Sequence, residues 1–308
     1  MLLVLVLPAN AAHAGPTVQQ IEAQIAQVWN QAEPMIEQYN SIHDQYTKNK
    51  AQQAALQKKL EPLQTQVELG QVRVGYIAAQ AYRGGGADTF NALVSAGSPA
   101  ALADQLTFLN MMAREQQQQV SGVSAIMAQY NAQKAPIDAL VAQLAQQDAQ
   151  LAAQKAQIDK KINDLEQLRL QAYGTSGGTG SYRPWPCPST YAPTNGYKAA
   201  LFACQQAGKP YIWAAAGPGS YDCSGLTLAA WASVGVYMPH NALAQRQSIP
   251  VVSAANLQVG DLVFYYSDTH HVAIYEGNDK VMQAPAPGDN VRMSVMEDVG
   301  PILAYGRP

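Results

Sequence analysis

The sequence predicts an α+β C-terminal domain, helices packed on an antiparallel sheet, preceded by a long antiparallel α-helical coiled-coil hairpin. Three observations carry the prediction. Apolar residues keep a four-three spacing in two seams, Ile21 to Ala81 and Leu102 to Leu165, with Asn49, Gln53 and Gly70 in the first and Gln116, Lys134, Asp148 and Lys155 in the second standing in phase. The composition then shifts to Gly, Ser, Thr, Pro and Tyr between Gly174 and Asn195. Beyond it, two helical stretches are followed by four strand-like runs. At 308 residues, 48% of them apolar, the chain is long enough for two domains with a sizeable core. With 13% charged residues and a net charge of -3 it lacks the basic footprint of a nucleic-acid binder.

Residues 1–14 read as a signal peptide. Leu2 to Leu7 is an unbroken apolar run, followed by Pro8 and by the A-x-A pattern Ala12-His13-Ala14, although no Lys or Arg precedes it. The run falls far short of the roughly 20 residues that span a bilayer. A secreted chain beginning near Gly15 is expected. Three cysteines fit an oxidising compartment: Cys187 and Cys204 are expected to pair and Cys223 to stay free.

The hairpin is expected over 17–172, with its connector at 82–100. Its first seam is Ile21, Ile25, Val28, Ala32, Met35, Tyr39, Ile42 and Tyr46, continuing through Leu56, Leu60, Leu63, Val67, Val74, Ile77 and Ala81. Pro34 and Pro62 fall inside it and are expected to kink or break the helix. The second seam runs through Leu102, Leu106, Leu109, Val123, Ile137, Val141, Leu144, Leu151, Ile158 and Leu165. In the connector, Arg83-Gly84-Gly85-Gly86 stops the first arm, Thr89 to Val94 suits a short helix, and Ser98-Pro99 suits the start of the second arm. The apolar residues of the connector serve either local packing or docking.

Residues 173–195 read as a linker, because Gly177-Gly178-Thr179-Gly180 and four prolines prevent regular structure. In 196–308, helices are expected at Tyr197–Gln206 and Ser224–Ser233. Strands are expected at Leu262–Tyr266, Val272–Tyr275, Lys280–Gln283 and Val291–Val295. Cys223 would open the second helix, where free amides and the helix dipole favour thiolate and stand ready for an oxyanion. Of the later histidines, His271 opens the first long alternating strand, a rigid mount for a general base. His270 precedes it, and His240 follows Pro239 in a loop, a position more often at the surface or beside substrate.

Four stretches add a resemblance. Pro210-Tyr211-Ile212-Trp213, Tyr221-Asp222-Cys223-Ser224-Gly225-Leu226, Gly260-Asp261-Leu262-Val263-Phe264 and His271-Val272-Ala273-Ile274-Tyr275 resemble the NlpC-type family of papain-like peptidoglycan endopeptidases. The resemblance implies Cys223 as nucleophile, His271 as base and Gln283, in place of the usual His, as the third member. It implies Tyr211 at the oxyanion site, and Asp222 and Ser224 at the pocket for the amino end of a stem peptide. The implied reaction is hydrolysis of the D-glutamyl–meso-diaminopimelate bond in the cell envelope, outside the cytoplasmic membrane. The hairpin resembles those of division-associated wall hydrolases, whose coiled coil docks on an FtsEX-type membrane complex; such a hairpin would cover the active site until a partner engages it. A catalytically idle scaffold for other hydrolases is the alternative. Neither a metal nor an organic cofactor is indicated, since no His/Cys/Asp cluster has ligand spacing.

Overall fold

A computed structural model describes residues 16–84, 98–174 and 192–308, together with Asn91, Ser95 and Cys187. The expected signal peptide, most of the expected connector and most of the expected linker lie outside these residues. The described part divides into two compact units, one of residues up to Gln45 together with Ala149–Pro308, the other of Tyr46–Asp148. Among the described residues no helix is long and apolar enough to cross a membrane.

Two long helices supply the N-terminal part: α1, Val18–Gly84, and α2, Pro99–Tyr173. The arms are antiparallel. In the first unit Tyr173 meets Glu22, and Lys161 donates to Gln31 at 2.7 Å. In the second, Asn49 donates to Gln147 at 3.1 Å, and Gly70 lies against Val123. At the start of α2, Ser98 Oγ accepts from Ala101 N at 3.3 Å.

The expected break at Pro34 and Pro62 does not occur, since α1 is helical through both. A proline inside a helix costs about 3 kcal/mol, which a long apolar seam outweighs. The seam itself drifts from strict sevens. Ile36 is buried rather than Met35, and Leu140 rather than Val141. A helix of 3.6 residues per turn moves its inner face in this direction against a 3.5 repeat.

The C-terminal part begins with α3, Asn195–Gln205, capped by Thr194. Cys204 on α3 is joined to Cys187 by a disulfide, with Cα atoms 5.8 Å apart. Then follow α4, Cys223–Ala232, and α5, Ala242–Ser248. Six strands complete it: β1 Val251–Val252, β2 Leu262–Tyr265, β3 His271–Gly277, β4 Lys280–Gln283, β5 Arg292–Val295 and β6 Ile302–Gly306. They form one antiparallel sheet in the order β1-β6-β2-β3-β4-β5. Helix α5 and strands β1 and β6 escaped the sequence reading, being short or lacking clear alternation.

The apolar α4 and α3 pack on the sheet, burying Leu226, Ala230 and Trp231 against Phe264, Val272, Ile274 and Met282. At about 25 cal/mol per Å² of apolar surface this burial anchors α4 to β3. The first residues of both elements, Cys223 and His271, are thereby held at one end of the sheet.

Candidate active site

Cys223 is fixed by the turn that precedes it. Asp222 is the N-cap of α4, and its Oδ1 accepts from Gly225 N at 2.7 Å. Gly225 is required: a Cβ there would lie 2.2 Å from the Ala215 carbonyl oxygen and 2.9 Å from His240 Nε2. With Gly225 capped, the amides of Cys223 and Ser224 remain at the mouth of the helix for a ligand. Cys223 is the free cysteine among the described residues, and it is buried.

His271 opens β3 opposite Tyr265 of β2. Its Nε2 lies 2.8 Å from Gln283 Oε1 at the end of β4, and Gln283 Nε2 donates to Ser294 Oγ on β5 at 2.8 Å. An amide oxygen accepts only, so Nε2 carries a proton and Nδ1 turns into the cleft. The side chains of Cys223 and His271 approach within 4.8 Å. Tyr211 sits beside them with its buried hydroxyl unpartnered, and burial and the neighbouring Cys223 raise its pKa well above the usual range.

The cleft is not open. Helix α1 lays one face across it, and that face is polar. Glu33, 2% exposed, accepts from His271 Nδ1 at 2.6 Å. Glu37, one turn on and 4% exposed, takes a 3.4 Å contact from Cys223 Sγ, a 2.7 Å bond from Ser224 Oγ and a short bond from the amide of Ala242. Asn241 Nδ2 donates to the Glu37 carbonyl at 2.7 Å, and Asn40 Nδ2 donates to Asp222 Oδ2 at 2.9 Å. Asp44 Oδ2 accepts from His240 N at 2.8 Å. Edge-to-face rings flank the contact, Trp29 on Tyr211 and Tyr39 on Trp213.

The electrostatics follow from this packing. Burial, with Glu37 and Glu33 adding, holds the Cys223 thiol well above its usual pKa. This corrects the expectation of a thiolate favoured by the helix terminus: enclosure and two carboxylates outweigh the dipole. Burial alone would lower the pKa of His271, but Glu33 and the bond to Gln283 raise it, so both ring nitrogens donate to acceptors. Burial, joined by Asp222, pushes Glu37 up to about 8. His240 lies in the loop before α5, as expected, and on the pocket side rather than at the surface. It is mostly buried, with Nε2 2.7 Å from Asp222 Oδ1, and this pairing raises its pKa against the effect of burial.

All six site residues read from the sequence, Tyr211, Asp222, Cys223, Ser224, His271 and Gln283, therefore line one cleft. The sequence reading missed Glu33, Glu37 and Asn40. Their signal was present: Glu33, Glu37, Asn40 and Asp44 recur at four-three-four spacing, a polar stripe beside the apolar seam in a region with few charges.

Residues 208–302 match the NlpC/P60 family. Over nearly its whole length the chain is similar to a probable endopeptidase of Mycobacterium tuberculosis, 27% identical over 335 residues that cover 91% of this chain and 87% of the relative. The peptidoglycan endopeptidase RipA of the same organism is 34% identical over 109 residues, 31% of this chain and 23% of RipA. Among solved structures, the NlpC/p60 domain of the peptidoglycan hydrolase SagA is 28% identical, covering 37% of this chain and 100% of that one at a TM-score of 0.35.

Proposed function

We propose that the NlpC/P60 domain of this chain is a cysteine peptidase that hydrolyses peptidoglycan stem peptides, held latent by α1. The observation that carries the reading is the line Gln283–His271, which presents an imidazole to the thiol at the start of α4. Once α1 leaves the cleft, the Cys223 proton passes to His271 and the thiolate attacks the scissile carbonyl. The oxyanion meets Tyr211 and the first amides of α4. His271 gives the proton to the leaving amine as the C–N bond breaks. It then takes a proton from water, which attacks the thioester and frees the thiol. Gln283 orients the imidazole by accepting its Nε2–H, as a neutral amide does in Cys-His-Asn sites.

Asp222 and Ser224 suit the amino end of the substrate, which supports the D-glutamyl–meso-diaminopimelate bond as the one cut. Substrate then takes the places held by Asn40 and Glu37. We further propose that the chain is secreted, acts in the cell envelope during division, and is released from latency when an FtsEX-type membrane complex engages the hairpin. The exposed Leu69, Val72 and Tyr76 of α1 and Phe108 and Met111 of α2 support a docking role for that part of the chain.

Mass spectrometry of muropeptides tests this, using the full chain with Glu33→Ala and Glu37→Ala, and the same chain with Cys223→Ala added. New fragments split after D-glutamate, absent when Cys223 is replaced, are expected. No cleavage by the opened chain would leave the scaffold reading.

A further inference from the structure

The carboxylates of α1 create a donor set that no spacing along the chain announces. Glu33, Cys223 and His271 are far apart in sequence, yet one ligand atom of each lies within 4.8 Å of the others, and all three are buried. Around a tetrahedral zinc ion such atoms stand roughly 3.3–3.8 Å apart, following from bond lengths of about 2.0–2.3 Å. The longest separation must shorten by about 1 Å, while Glu33 and His271, now hydrogen-bonded at 2.6 Å, part slightly as the proton between them leaves.

A second, independent observation points to the same place. His270, 7% exposed, has an Nε2 with no hydrogen-bond partner, 3.8 Å from Glu33 Oε2. Its other nitrogen, Nδ1, is 2.5 Å from Asp268 Oδ1. A carboxylate accepts, so Nδ1 is the donor in that pair and Nε2 is the nitrogen left to meet a ligand. That carboxylate–histidine pairing is how metal-binding histidines are commonly held. His271 is held in a similar way by an amide oxygen, with Nε2 fixed by Gln283 Oε1 and Nδ1 facing the cluster.

We propose that Glu33, Cys223 and His271 bind a zinc ion in the closed chain, with His270 Nε2 in the fourth position. The charges balance. Before binding, the thiol is neutral and the imidazolium and Glu33 carboxylate cancel. Zinc displaces the thiol proton and the proton on His271 Nδ1, and two anionic ligands then neutralise the divalent ion. The buried site stays at zero net charge, so the ordinary penalty of enclosing an ion is met by its ligands. Because Glu33 comes from α1 and the other donors from the sheet and α4, the ion fastens α1 over the cleft while it masks the nucleophile.

The test uses the intact, disulfide-bonded full chain without thiol reductant, titrated with Co²⁺ as a spectroscopic probe and with Zn²⁺ against a chromophoric chelator. The expected result is one ion per chain, a sulfur-to-cobalt charge-transfer band, and a melting temperature that rises with Zn²⁺. Glu33→Gln, which keeps shape and fold, is expected to weaken binding by more than about tenfold, the least that losing even an outer partner costs. Cys223→Ser is expected to lose the band. Absence of the band in the parent chain overturns the site. So does a band and an affinity unchanged in Glu33→Gln, which would mean that the thiol and imidazole bind without α1. No arm reads hydrolysis, so failure of the peptidase reading leaves this test standing.

Discussion

The two ends of helix α1 share one apolar rhythm and differ in what lies beside it. From Ile21 to Asp44 the seam residues Ile21, Ile25, Ala32 and Ile36 are buried, and so are Glu33, Glu37 and Asn40 on the adjoining face. From Tyr46 onward burial is confined to the seam, at Leu60 and Gly70, while Leu69, Val72 and Tyr76 stand exposed. The lesson is that a heptad specifies only one face of a helix. The second face of the first segment is written in polar residues, each matched to a group of the cleft. Buried carboxylates without such partners would cost several kcal/mol each. Their positions therefore tie this stretch to one arrangement.

The comparison breaks most sharply at Asn40. Asn40→Asp would set a carboxylate against Asp222, where Asn40 now donates an amide hydrogen at 2.9 Å. Two buried like charges should cost about 3 kcal/mol or more, shifting the ratio of closed to open chain by more than about a hundredfold. Stem-peptide hydrolysis by the full chain should rise accordingly, and an unchanged rate would show that this contact does not hold α1 in place.

A smaller effect is expected from pH. In the closed arrangement burial raises Glu37 from 4.5 to about 8, and Glu33 and Asp222 raise His271 and His240 against the effect of burial. Glu37 and His271 owe these shifts to burial under α1 and to Glu33 respectively, and so bind protons more tightly closed than open, whereas Asp222 stays beside His240 in both. Without a bound metal ion the closed form is therefore strongest below the ordinary Glu37 value and weakens as pH rises through about 8. Hydrogen exchange in residues 30–45, corrected for the intrinsic rate, should speed up across that window. The step should shrink in Glu37→Gln, and a profile identical to the parent would remove Glu37 from the account.

The smallest effect belongs to the other segment. A Cβ at Gly70 would lie 2.9 Å from the methyls of Val123. Gly70→Ala gains about 1 kcal/mol of helix propensity and loses about 1–3 kcal/mol to overpacking. The melting temperature should fall slightly while hydrolysis stays at the parent rate. A change in hydrolysis would contradict the division of labour within α1.

Much of this was legible in the sequence, and the reasons are physical. Strands β2 to β5 announced themselves because alternation in a buried sheet is a local signal, and Lys280–Gln283 was read with its observed bounds. Cys223, His271 and Gln283 stood out through the stretches around them, each tied to a turn or a strand end. The occupant of the cleft was not legible in residue detail. Glu33 and Glu37 look like ordinary solvated positions of an amphipathic helix until the other side of the contact, more than 180 residues away, is known. For the same reason the Cys223 pKa was misjudged: a helix terminus is read locally, whereas enclosure by a distant segment is not.

The central claim is that the first segment of α1, and not the second, shuts off the thiol. The rate at which iodoacetamide labels Cys223 at one fixed pH tests it most directly, in the parent chain, in Glu33→Ala with Glu37→Ala, and in Glu61→Ala with Glu68→Ala. Each charge-assisted bond removed from the cleft is worth about 1.5 kcal/mol or more. Labelling should therefore be more than about tenfold faster in the first variant and unchanged in the second. Equal rates in all three chains would contradict the account.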